Sequence, residues 1–102
     1  MAKQSAPFFF VRQEKRHVKI EFADIRYVEA SKNYVQIVTG DKRYQVLGTL
    51  GYLERLLPPE QFIRIYRSFL VRVEQVTSFD TRHAWVAGRQ VPIGAPTSEP
   101  IP

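Results

Sequence analysis

Few side chains in this sequence are suited to covalent chemistry. There are two histidines, His17 and His83, and no cysteine. Both histidines fall in segments that read as hairpins, where a surface imidazole is the plain assignment. No His-x-Glu, His-Glu-x-x-His or Gly-x-Ser-x-Gly arrangement occurs. The five glycines stand singly, so no glycine-rich loop is available to cradle a phosphate. A disulfide framework and a cysteine-held zinc are excluded outright. The expectation is therefore no catalytic residue, no metal, no cofactor and no small-molecule substrate.

The cations are more informative. Lys32 stands in a short loop, Ser31-Lys32-Asn33, and Arg67 in a second, Tyr66-Arg67-Ser68. An arginine fork matches guanine O6 and N7, and an asparagine amide matches adenine. Serine and lysine at the same places suit phosphate. Taken singly, each is an ordinary solvated loop residue; the reading depends on the loops protruding together into a DNA groove. Lys15, Arg16 and Lys19 form one further basic cluster, and Lys42 with Arg43 another. Either solubilises a face or adds sequence-independent phosphate attraction. Arg64, inside a strand pattern, is expected to serve the fold by pairing with Glu29. A formal charge of +5 and a pI near 9.8 favour polyanionic partners without naming one.

The elements that must position these loops are mostly strands. Phe8–Arg12 and His17–Phe22 read as a hairpin, with Val18, Ile20 and Phe22 alternating with polar residues. Strands follow over Arg26–Ala30, Tyr34–Thr39 and Lys42–Leu47, the last two joined at Gly40-Asp41. Leu50, Leu53, Leu56 and Leu57 share one face of a short helix. Thr49 is its N-cap, and Pro58-Pro59 ends it. Strand patterns resume at Phe62–Ile65, Phe69–Arg72, Val73–Phe79, His83–Val86 and Arg89–Ile93. Such a succession of short strands with one short helix is all-β. Residues 1–7 read as a flexible lead-in, 8–94 as one domain, and 95–102, rich in proline, as an irregular tail. No apolar run approaches the length of a membrane span, and a cytoplasmic location is expected.

Three blocks carry a family resemblance. Asp24-Ile25-Arg26-Tyr27-Val28-Glu29-Ala30, followed by Asn33-Tyr34-Val35-Gln36-Ile37, is similar to the opening pattern of the LytTR DNA-binding domain. Leu53-Glu54-Arg55-Leu56-Leu57-Pro58-Pro59, then Phe62-Ile63-Arg64-Ile65-Tyr66-Arg67-Ser68-Phe69-Leu70-Val71, resembles its middle, and Val91-Pro92-Ile93-Gly94 its close. The likeness runs from about residue 8 to residue 94. It implies an elongated domain of about ten short strands in small antiparallel sheets with one short helix. It also implies binding of duplex DNA by inter-strand loops in successive major grooves, in bacterial transcription regulators of the response-regulator kind. Carried over by position, the first contact loop is Lys32, Asn33 and Tyr34, and the second is Arg67 and Ser68, with Tyr66 where the family often has histidine. Ser31, Lys42 and Arg43 are candidate phosphate contacts. After Gly94 the family usually has a basic or polar residue and then an aromatic, where this chain has Ala95 and Pro96.

The partner expected is thus double-stranded DNA, with a homodimer or a regulator chain alongside. The competing reading is a protein-interaction module of the same fold that pairs with a full-length regulator and binds DNA weakly or not at all. An RNA-binding β-domain is the third. It would place aromatics on an open sheet face, whereas the aromatics here belong to core patterns.

Overall fold

The computed structural model describes residues 7–94. Ten antiparallel strands form three small sheets. β1 (Phe8–Gln13) and β2 (Arg16–Glu21) make a hairpin. β3 (Tyr27–Ser31), β4 (Tyr34–Val38), β5 (Arg43–Leu47), β6 (Phe62–Tyr66) and β7 (Phe69–Arg72) make a five-stranded sheet in the order β5-β4-β3-β7-β6. β8 (Val76–Phe79), β9 (His83–Val86) and β10 (Arg89–Pro92) make a three-stranded one. Among the described residues one α-helix, α1, spans Leu50–Leu56. The extents, 42 × 36 × 23 Å, are somewhat elongated.

The five-stranded sheet is packed on both faces, because its strands carry apolar residues at successive positions. Val28, Val35, Ile37 and Leu70 point to one side. There they meet Leu50, Leu53 and Leu57 and the first hairpin's Val11 and Ile20. Tyr27, Phe69 and Val71 point to the other, against Ala84, Val86 and Val91 of the three-stranded sheet. Alternation along each strand sorts the two sets.

α1 begins where expected: the Thr49 hydroxyl accepts from the Tyr52 amide at 3.2 Å. Its end differs in one respect. The residue before Pro58 is driven out of helical geometry, so Leu57 is extended (φ −89°, ψ 147°) and turns into the core. Leu56 is left 43% exposed instead of sharing the buried face. Phe22, expected to end the second strand, instead opens a 3-10 turn, Phe22–Asp24, and Val73–Gln75, expected as strand, forms another; β8 therefore starts at Val76. At Ala87-Gly88 both residues have positive φ (51° and 83°), the backbone of a tight primed hairpin turn. The irregular tail expected over 95–102 lies outside the described residues.

Candidate nucleic-acid interface

Strand direction decides where the two cationic loops lie. In the β3–β4 hairpin Ser31 pairs with Tyr34, leaving only Lys32-Asn33 as the turn. β7 runs antiparallel to β3, with Glu29 opposite Phe69 and Tyr27 opposite Val71. The start of β7, and so the Arg67-Ser68 turn before it, lies at the end of β3 that carries Ser31. The pairing continues into the turn itself: the Ala30 amide donates to the Ser68 carbonyl at 2.9 Å. The Gly48 amide donates to the Asn33 carbonyl at 2.9 Å, fixing the end of β5 beside the first turn.

Ser31, Lys32, Asn33, Tyr34 and Arg67 are exposed at this end, and Ser68 is half-buried. Tyr66 is half-buried too and packs against the second core. Lys32 has a φ of 53°, left-handed backbone that costs a residue with a Cβ roughly 1–2 kcal/mol.

Lys42 and Arg43 are not brought to this place. Val38 pairs with Arg43 and Tyr34 with Leu47, so Arg43 starts β5 at the opposite end of the sheet. Four residue steps, about 14 Å, separate it from the level of Tyr34. Its guanidinium donates to the Gln36 amide oxygen at 3.0 Å. Lys42 borders an open polar hollow with Lys19, Asp24 and Asp41, in which two carboxylates face two lysines.

The expected Arg64–Glu29 pair does not form, and register gives the reason. Arg64 stands opposite Leu70, which stands opposite Val28, so its side chain shares the helix-covered face. Glu29, one residue on from Val28, points to the other face. There it accepts from Arg89 Nη1 at 2.9 Å, and the same Nη1 donates to the Tyr27 hydroxyl at 2.9 Å. That guanidinium also sits 5.4 Å from the Phe69 ring centre, within cation–π range. The Tyr27 hydrogen bond, and after it Glu29, raise the Arg89 pKa against the opposing cost of burial. Arg64 instead bonds Glu54 of α1 at 3.0 Å and donates from Nη2 to the carbonyl of Arg67 at 2.7 Å.

Glu29 and Glu54 are thus each paired with a structural arginine, and among the described residues no ion pair engages Lys32 or Arg67 on the two turns. Arg64 also anchors the backbone that carries Arg67. Replacing Arg64 with alanine is expected to accelerate amide hydrogen exchange in the Arg67–Phe69 segment while costing at most about 1 kcal/mol of global stability, since the ion pair is half-exposed. Exchange followed by mass spectrometry, beside a urea melt, checks both parts. The roles of Glu54 and Arg89 were hidden in the sequence because neither partner is near in the chain. Only the opposite facing of neighbouring strand residues hinted that Arg64 and Glu29 could not meet.

Comparison with known proteins agrees with this architecture. A profile of the LytTr DNA-binding domain matches residues 15–94. The Bacillus subtilis sensory transduction protein LytT is 37% identical over 59 residues, covering 58% of this chain and 24% of that protein. The CO-responsive transcriptional regulator RcoM of Rhodospirillum rubrum is 33% identical over 82 residues, covering 74% of this chain and 35% of that protein. The chain therefore spans between a quarter and about a third of the length of these relatives. The LytTr DNA-binding domain of a methyl-accepting/DNA response regulator from Bacillus cereus superposes with a TM-score of 0.73 at 21% identity, covering 87% of each chain, and so shares the fold. This chain belongs to the LytTr DNA-binding domain family, a non-catalytic family that binds DNA in transcription regulation. Among the described residues no helix is long and apolar enough to cross a membrane.

Proposed function

We propose that this domain binds double-stranded DNA with sequence preference, by inserting the Lys32-Asn33 and Arg67-Ser68 turns into the major groove. The observation that carries the reading is the placement of two exposed cationic turns side by side at one end of a rigid sheet, joined through the Ala30–Ser68 hydrogen bond. Arg67 and Asn33 read base edges. Lys32 and Ser31 hold phosphates, and Tyr34, 42% exposed, lies against the sugar–phosphate wall. Lys42 and Arg43, at the far end, contribute only diffuse attraction. The domain acts as the output of a cytoplasmic regulator, alone or beside a second copy or a regulator chain on repeated sites.

Selection of bound duplexes from random DNA tests this directly. Recovery of an enriched motif, with affinity that falls steeply with salt, is expected. Recovery of no motif, together with capture of a regulator chain, would move the reading to the protein-pairing module. Lys32→Gly is a clean probe of the first turn, because glycine tolerates the positive φ at that position. It is expected to keep the melting temperature at or above that of the parent. It should also reduce the steepness of log K against log salt by about 0.9, the loss of one phosphate contact.

A further inference from the structure

We propose that Arg82, in the turn between β8 and β9, is a third DNA contact of this interface, made to the phosphate backbone that flanks the groove. The proposal rests on the DNA-binding reading above.

Two hydrogen bonds tie that turn to the interface. The Arg82 carbonyl accepts from the Ile93 amide at 2.9 Å, and the next residue, Gly94, donates its amide to the Ile65 carbonyl at 2.5 Å. Ile65 stands two residues before Arg67. Adding two inter-strand spacings to one Cα step puts the Arg82 backbone about 13 Å or less from that of Ile65. The major groove is about 12 Å wide. Arg67 lies up to about 7 Å beyond Ile65, so the two turns stand within roughly 20 Å of each other, and with Arg67 inside the groove a cation on the neighbouring turn reaches the phosphates that flank it.

The turn is built to hold its shape. One Asp80 carboxylate oxygen accepts the backbone amides of Arg82 and His83, each at 2.8 Å, and the Asp80 amide donates to the His83 carbonyl at 2.8 Å. Those two amide donors hold the Asp80 pKa below its ordinary value near 3.8. The brace is therefore complete at neutral pH and is lost only as pH falls through that lowered value. The Asp80 carboxylate is taken up chiefly by these backbone amides, with weaker attraction to His83 and Arg82, and the Arg82 side chain is exposed. Arg64 and Arg89, the other arginines linking these elements, each hold an acceptor within the chain; among the described residues no such bond engages the Arg82 guanidinium. Residues 95–102, which follow Gly94, include no lysine or arginine.

Fluorescence anisotropy over a salt series, with a selected duplex and a scrambled one, tests the proposal. Arg82→Ala is expected to weaken both duplexes by a similar factor and to reduce the steepness of the salt dependence by about 0.9, whereas Arg82→Lys keeps the slope. Because Arg82 is exposed, the thermal melt of either variant should match the parent. An unchanged slope and affinity for Arg82→Ala, beside a loss of preference in Arg67→Ala, would overturn the Arg82 contact and leave the DNA reading intact. A loss confined to one base pair would overturn the phosphate assignment. A parent domain that binds neither duplex would end both.

Discussion

Arg67→Ala is expected to raise the Kd for the preferred duplex about 5- to 150-fold, the 1–3 kcal/mol carried by a bidentate arginine–guanine contact. The loss should fall on one base-pair position and vanish on duplexes already substituted there. The geometry makes the substitution interpretable. The Arg67 side chain is exposed, while its carbonyl is held by Arg64 and the next carbonyl by Ala30. Removing the side chain therefore leaves the turn in place. Arg67→Lys separates charge from shape: it keeps the cation but not the planar fork, so the salt slope should survive while the base preference relaxes. Mobility shifts across a set of base-substituted duplexes measure both. An Arg67→Ala protein with undiminished preference at every position would remove Arg67 from the base-reading role, whatever its effect on overall affinity.

The contrast with Arg64→Ala follows from the same geometry. Arg64 faces α1, and it reaches the interface only through the backbone of its neighbour. Its loss loosens a turn instead of deleting a contact, so binding should weaken on all sequences while the position-specific preference of Arg67 persists in reduced form. Arg64, Glu54 and the Arg67 carbonyl thus form a support linking the helix to the interface. The Glu29–Arg89–Tyr27 cluster does the corresponding work between the two sheets.

How far the sequence discloses this arrangement depends on how local each feature is. The first hairpin, the Thr49 cap and the proline stop depend on residues within a few positions of one another, and all were legible. So were the two short loops that carry Lys32 and Arg67, as loops. The exposure of Leu56 was less so, because helical spacing alone puts it with Leu53; only the extended geometry imposed on Leu57 by Pro58 breaks the set. The segment Val73–Gln75 reads as strand by composition but closes a 3-10 turn (the Val76 amide donates to the Val73 carbonyl). Least legible were the relations between distant segments. That Arg64 and Glu29 face opposite ways follows from register, whereas the place of Arg43 at the far end from Asn33 follows from the local hairpin turn at Gly40-Asp41. Register across β3 and β7 is a tertiary fact, since a shift of one residue would exchange the faces. The family resemblance supplied the likeness of the loops to contact segments, but not which arginine props which turn.

The largest effect on stability is expected from Leu70→Ala. Leu70 lies on β7, between β3 and β6 in the five-stranded sheet, and is 1% exposed in the core beneath α1. Truncating a buried leucine there removes its transfer free energy and leaves a cavity that a sheet packed on both faces cannot readily collapse, a cost of about 2–5 kcal/mol. Domains of this size have roughly 5–15 kcal/mol in total, so the midpoint in urea should fall sharply with little change in slope, and the melting temperature by about 10–30 °C. Leu70 sits two residues beyond Ser68 yet points away from the interface. At a temperature where the variant is still folded, its salt slope and base preference should therefore equal the parent's. A stability close to the parent's would mean that the face beneath α1 is not the tightly packed core described above. A flattened salt slope in a fully folded Leu70→Ala protein would mean that the Arg67-Ser68 turn owes its position to the packing of β7 and not chiefly to Arg64 and the Ala30–Ser68 bond.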